Sequence, residues 1–569
     1  MYSIAEWLAL SWCGAGTLQK GEEVLDLIFF NGKIITVDRE RSCAGAVAVK
    51  NGCIAAVGDD DDILTLKDGK TDLVDLRGRT LLPGFNDSHM HLTNYALGVT
   101  KVDLRGCDSI DDLVERIRRF IAERKVPKGE WVLGWGWNHS FFREKRMPDR
   151  YDLDRAAPGH CLSIVRTCCH VSAVNSMALQ RTGINDDPPM VDGGDIDLDA
   201  TGKPTGILKE NAMKLVEKNL PSLDRGKIEG LIRTAAADFN ASGLTSVQTD
   251  DLLALDSDLL PDLLAAYRNL ESSDALPIRV DLQLLLPDLE KLGAFIENEY
   301  RVSPPGPFFK IGPLKLLMDG SLGGRTALLA EPYADDPDNR GMAVLAEEEL
   351  AELVNLAYEN GMQVATHAIG DAAVSAVLDA YEKAGRRCCC PDPRFRIVHA
   401  SIVSPDSLKR FAELGVIADI QPAFVSSDNL LIEKILGPER AAWTYRWRDF
   451  LNSGVMMGGG SDCPVETCSP LYGLYAAVTR QNARREPPGG WFPGQRLNLS
   501  EIIGIYTFGS AYCSFEEKSK GSIAVGKLAD LVVLSEDILQ CRPEEIRELQ
   551  IDQTVVGGKT VYLRPGSPA

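Results

Sequence analysis

The sequence predicts an α/β protein: a (β/α)8 TIM barrel with a small β-sandwich domain formed by both chain ends and an insertion after the first barrel strand. Three observations predict it. The middle of the chain alternates short apolar strands with amphipathic helices, the pattern of parallel βα units. Strand-rich hairpins stand at both ends of the chain. Eight central strands can be counted, the number a closed barrel requires.

Taken in order, the opening strands are Leu25–Ile35, Ala46–Val49 and Gly52–Val57, separated by the turn signals Asn31-Gly32 and Asn51-Gly52. The far end repeats this with Leu531–Leu534, Gln553–Val556 and Thr560–Leu563, the last two joined through Gly557-Gly558. The eight barrel strands are Leu81–Phe85, Thr245–Gln248, Ile278–Leu286, Pro313–Met318, Gln363–His367, Phe395–His399, Val416–Gln421 and Val455–Gly458. The stretch between the first two is too long for one crossover helix and holds strand-like pieces of its own, Trp131–Gly134 and Cys161–Thr167. The expected domains are therefore 24–80 and 515–566 for the sandwich and 81–514 for the barrel. Within the barrel, 93–240 forms an inserted lid or subdomain.

The 569 residues carry a formal net charge of −21, which leaves no surplus of cations to neutralise phosphates. Nucleic acid and anionic membrane surfaces are excluded as partners on that ground. No run of about 18 apolar residues is present to span a membrane. The 14 cysteines are scattered and include the runs Cys168-Cys169 and Cys388–Cys390, which reads as a reduced, cytoplasmic enzyme rather than a disulfide framework. The first twenty or so residues lack the basic leading region of a targeting segment.

Four of the seven histidines, His89, His91, His367 and His399, fall at the ends of expected barrel strands, where such barrels keep their active sites. His89 and His91 in LLPGFNDSHMHL are two apart, so on extended chain both imidazoles point to one side. Their Cα atoms would be about 6.5–7 Å apart, close enough to share one metal ion. Lys315 sits inside an apolar strand covered on both faces, where burial favours the neutral amine. Such an amine can take up carbon dioxide as a carbamate that bridges two metals; a pairing with Asp319 or another acid is the alternative. Asp462, at the Gly-rich end of the last strand, can bind metal and accept the proton of an attacking water. Arg325 in DGSLGGRTA can meet a substrate carbonyl or acid, or simply pair with a neighbouring carboxylate. Trp137 and His139, with Trp135 and Asn138, form an aromatic cluster suited to a lid over an apolar substrate or to a core. His170 and Glu210 are further candidates to face the pocket.

The order His-x-His, Lys, His, His, Asp on strands one, four, five, six and eight resembles the amidohydrolase superfamily over nearly the whole chain. KGSIAVGKLADLVVL and NGKIITVD resemble that superfamily's sandwich segments. LLPGFNDSHMHL, GWGWNHSFF, PTGILKENAM, LKLLMDGSLGGRTALL and THAIGD resemble the branch containing the N-substituted formamide deformylases. The resemblance implies one or two divalent ions, usually zinc. His89, His91, Lys315 as carbamate and Asp462 would hold one, and Lys315, His367 and His399 the other. It implies hydrolysis of a C–N bond in a small non-peptide amide, with Asp462 moving the proton from water to the leaving nitrogen. Deamination of a heterocycle and hydrolysis of a cyclic amide need the same residues and stay open, as does a catalytically inactive regulatory or binding homologue. A homodimer is the assembly that analogy with this fold suggests.

Overall fold

The computed structural model describes residues 25–38, 43–168, 170–184, 188–220, 222–387 and 392–567. The leading segment, Cys169 and the Cys388–Cys390 run lie outside the described residues. The chain divides into two compact units, one reaching up to Asn94 and resuming at Ile228, the other Tyr95–Lys227.

The first unit contains an eight-stranded sheet, nearly closed on itself, whose strands we number β1 to β8: Phe85–Met90, Leu244–Asp250, Arg279–Leu285, Phe309–Leu317, Val364–Ala368, Arg396–His399, Ile417–Ile420 and Met457–Gly459. Each neighbouring pair is parallel. Backbone hydrogen bonds just past the strand ends tie β8 back to β1. Asp462 N–H donates to the His89 carbonyl at 2.9 Å and His91 N–H to that of Cys463 at 2.8 Å. The covering helices carry their own boundary signals. In Pro405–Leu414, Ser404 accepts from Ser407 N–H, proline stands in the first turn, and left-handed Gly415 ends the helix.

The apolar run LLPGF, expected to open the barrel, is split. Thr80–Pro83 pairs antiparallel with Leu531–Leu534 in the sandwich, and only from Phe85 does the chain join the barrel. Pro83-Gly84 is the break, a turn signal inside a run whose halves are both buried. The sandwich has a four-stranded sheet built from Leu27–Phe30, Ala46–Lys50, Cys53–Gly58 and Asp72–Asp75. A second sheet mixes Lys33–Ile35, Cys43–Ala44 and Thr80–Pro83 with three C-terminal strands. Phe29, Val47 and Leu81 share one core with Leu531, Val533 and Val555, so neither chain end has a complete core without the other.

The second unit has its own six-stranded sheet around a core that includes Leu113, Trp137, Leu153 and Ile164. No described helix is long and apolar enough to cross a membrane.

Candidate metal centre

His89 lies within β1 and His91 one residue beyond its end, so both imidazoles are carried to the C-terminal end of the barrel. Asp462 follows β8 in a left-handed backbone conformation (φ 57°), and His399 ends β6 with φ 73°. Non-glycine residues held there cost about 1–3 kcal/mol each, which the surrounding structure must sustain. The close approach of the two strands requires glycine at 460, where a side chain would lie 2.7 Å from the His89 nitrogen. One ligand atom each from His89, His91 and Asp462 lies within 4.8 Å of the others, and all three residues are buried. Asp462 Oδ1 stands 2.9 Å from His91 Nε2 and 3.4 Å from His89 Nε2. The rings of His91, His89, His399 and His367 form a continuous edge-to-face row with centroids 5.0, 5.6 and 4.5 Å apart.

The outer nitrogens of three of these rings are held by oxygens. His89 Nδ1 meets Gln283 Oε1 at 2.9 Å, His91 Nδ1 the Asp250 carbonyl at 2.9 Å, and His399 Nδ1 Gln421 Oε1 at 2.8 Å. A proton on Nδ1 leaves the Nε2 lone pair facing the shared space, the arrangement by which proteins orient metal-binding histidines. Burial, reinforced by nearby Lys315, lowers the His89 pKa to about 3, and burial with His367 holds His399 well below the usual histidine range. Both are neutral donors. His91 is pressed between two oxygens, Asp250 O and Asp462 Oδ1, and needs a cation on its inner side, either a proton or a metal ion. Burial opposes a raised pKa for His91, but Asp462 prevails and lifts it. The donor set thus fits a divalent ion of intermediate softness. His367 is turned differently, its Nε2 3.0 Å from the Gly320 carbonyl and 3.4 Å from Asp319 Oδ1. With Nε2–H directed at that carbonyl, Nδ1 keeps its lone pair for a metal ion.

Lys315, in β4, is 1% exposed, and burial lowers its pKa against the opposing pull of Asp250, Asp462 and Asp419. Asp319 is not its partner: that carboxylate accepts the N–H groups of Leu328, Ile369 and Gly370. Residues that motif reading missed surround the centre. Asp250, at the end of β2, is fully buried with neither carboxylate oxygen hydrogen-bonded. Below it a polar stack fills the barrel interior, where branched apolar side chains are usual. Buried Arg396 pairs with Asp419 and donates to Gln248 Oε1 at 2.7 Å and to the Ser88 carbonyl at 2.6 Å. Gln283 bridges that stack to the metal centre, donating to Ser88 O at 2.9 Å while accepting from His89. The only sequence signal for these residues was polar side chains inside otherwise apolar strands.

Comparison with known proteins agrees with this geometry. Residues 72–562 match the model of the Amidohydrolase family. The chain belongs to that family. YtcJ of Bacillus subtilis, named as an amidohydrolase, is 35% identical over 94% of this chain and 99% of its own. The N-substituted formamide deformylase of Arthrobacter pascens is 30% identical over 96% of this chain and all of its own. The crystal structure of an uncharacterized metal-dependent hydrolase from Pyrococcus furiosus superposes with a TM-score of 0.71 at 30% identity, covering 90% of this chain and all of that one. This amidohydrolase is accordingly a metal-dependent hydrolase acting on C–N bonds of small molecules.

The amidohydrolase's other sequence-predicted residues have contacts of their own. Arg325 makes a two-pronged pair with Asp335, at 2.6 and 3.1 Å, and its guanidinium lies 5.7 Å from the Tyr333 ring centroid. In the second unit, Trp137 is wholly buried and donates from Nε1 to the Ile164 carbonyl at 3.1 Å. His139 lies beside it, with ring centroids 6.3 Å apart, and accepts from Arg166 Nε at 3.4 Å. Trp135 is half-exposed with Arg105 over its ring. His170 and Glu210, picked out separately in the sequence, form an exposed ion pair at 3.1 Å.

Proposed function

We propose that this amidohydrolase hydrolyses small N-substituted amides, with N-substituted formamides as the substrate class. The whole-length likeness to an N-substituted formamide deformylase supports that class. The observation that carries the reading is the convergence of His89, His91, His399, Asp462 and buried Lys315 on one end of the barrel. His89, His91, Lys315 and Asp462 would hold one zinc ion, and Lys315 (as a carbamate), His367 and His399 a second. Bound there, zinc would polarise the scissile carbonyl and bring the pKa of water to about 7. Asp462 Oδ1 takes the proton of the attacking water and returns it to the departing nitrogen, so the amide leaves as formate and an amine. Gln283, Gln421 and the Asp250 carbonyl keep three rings oriented through this exchange. Arg325, His139 and His170 are the proposed substrate-side residues, while Trp137, expected among them, is committed to its own unit's core. The segment 93–240 is proposed as an inserted lid and the barrel domain as reaching 514, with Leu81–Pro83 joining 24–80 and 515–566 in the sandwich. The described cysteines are free thiols, which supports a cytoplasmic setting.

The test is elemental analysis of protein purified without chelator, beside a Lys315→Ala variant, combined with a panel of N-substituted formamides, larger acyl amides, cyclic amides and aminoheterocycles. About two ions per chain, fewer in the variant, with formate released, is the expected outcome. Ammonia or a ring-opened acid would replace the substrate class. About one ion in both proteins would remove Lys315 from the centre.

A further inference from the structure

We propose that a cavity at the opposite, N-terminal end of the barrel is a binding site for a small organic ammonium ion carrying an aromatic or aliphatic ring. The cavity measures about 340 Å³ and is walled by Asp281, Lys310, Gly312, Tyr300, Tyr358 and Phe515 among others. That volume lies in the range of small-ligand sites. Asp281 and Lys310 stand near the beginnings of β3 and β4, whereas His91, His399 and Asp462 stand at or beyond the ends of β1, β6 and β8. On β4, Lys310 and Lys315 are five residues apart, about 16 Å along an extended strand.

The charge of the occupant follows from what the wall has left over. The Lys310 ammonium is already committed: it donates to the Ser514 carbonyl at 2.5 Å and pairs with Glu516 at 3.2 Å and with Asp281 Oδ2 at 3.4 Å. Among the described residues lining the cavity, an anion would find no free cation. Asp281, 4% exposed, keeps its other oxygen, Oδ1, without a hydrogen bond, and an unpaired buried acceptor is costly. Glycine at 312 makes room for that oxygen, since a Cβ there would lie 1.7 Å from it. A neutral apolar ligand would do nothing for this carboxylate, whereas an ammonium in the cavity would place a positive charge beside it. The aromatic walls suit the same ligand, because ring faces attract cations. Phe515, half-exposed, already carries the Arg394 guanidinium over its ring at 4.4 Å. The chain's net charge of −21 favours cation capture generally.

The experiment is calorimetric titration of the metal-loaded enzyme with phenethylammonium and with phenethyl alcohol, its neutral counterpart. The expected result is saturable binding of the cation, with the alcohol at least about tenfold weaker. Asp281→Asn and the surface change Phe515→Ala should each weaken the cation about tenfold, and Asp462→Asn should leave it unchanged. Phe515→Ala keeps the test decisive where Asp281→Asn does not fold. No saturable binding, or equal binding of the alcohol, would overturn the proposal. So would binding lost in Asp462→Asn but kept in Phe515→Ala, which would place the amine in the metal centre.

Discussion

Two lysines five residues apart on the same strand, Lys310 and Lys315, show how differently the two ends of this barrel treat buried charge. At the N-terminal end Lys310, Arg279 and Arg394 are each matched by carboxylates. Lys310 is enclosed by three oxygens, Arg279 forks onto Asp530 at 2.7 and 3.0 Å, and Arg394 forks onto Glu517 at 2.9 and 3.0 Å. Burial pulls the Lys310 pKa down, but Asp281 and Glu516 outweigh it and the net direction is up. At the C-terminal end Lys315 goes the other way, down, and Asp250 nearby is buried with neither carboxylate oxygen hydrogen-bonded. Matched charge holds structure together. Unmatched buried charge is tolerated where something else, a metal ion or a substrate, completes it.

The largest effect that sharpens this contrast belongs to Asp462. Asp462→Asn keeps the shape and removes the proposed proton acceptor, so kcat on the best substrate should fall about a thousandfold while the protein stays folded. A fall of less than about tenfold would pass the base role to another group at that end.

The lysines themselves supply the most direct way to break the comparison. In chelator-treated protein, Lys310→Met should cost about 3 kcal/mol by urea denaturation, because it strands Asp281 and Glu516. Lys315→Met strands no ion-paired partner and should be neutral or stabilising by about 1 kcal/mol, while abolishing turnover. Equal costs at the two positions would show that both ends are merely structural.

The same contrast explains what was legible in the sequence. The barrel, the sandwich and the His-x-His, Lys, His, His, Asp series could be read because each rests on a local pattern: strand periodicity, a turn pair, or a histidine closing an apolar run. Gln283, Gln421 and Asp250 could not, because their importance lies in which ring nitrogen or lysine they face across the barrel. Register between strands far apart in sequence decides that. Trp137 shows the limit from the other side. Its tryptophan-rich surroundings suit a lid as well as a core, and only packing distinguishes a buried ring from half-exposed Trp135 two residues before it. The split of LLPGF between sandwich and barrel was hidden in the same way, since burial on both sides of Pro83-Gly84 makes one apolar run of two strands.

Acid separates the matched end from the rest. Burial pushes Glu516 up, but Lys520 and Lys310 hold it down to about 2, well under its ordinary 4.5. The unfolded chain therefore takes up this proton first, and the stabilisation, about 3 kcal/mol, is present above pH 4.5 and drains away between pH 4.5 and 2. Urea midpoints of wild type and Glu516→Gln should differ most at pH 6 and converge as the pH falls through that window. A gap that stays constant with pH would mean that Glu516 acts through packing rather than charge.

The smallest effect tests the border between the two kinds of charge. Arg325 is matched, to Asp335, yet the pair is partly open to solvent, with side chains 27% and 20% exposed. A pair so placed contributes only about 0.5 kcal/mol, so Arg325→Ala should barely move the urea midpoint. If the guanidinium also meets the substrate, KM should rise about tenfold with kcat nearly constant, because the lost contact is one made equally in ground and transition states. The added change Asp335→Ala, which frees the guanidinium of its partner, should then leave wild-type KM intact or lower it. A KM unmoved by Arg325→Ala would make the residue a tether for its loop and place it with the matched charges of the opposite end.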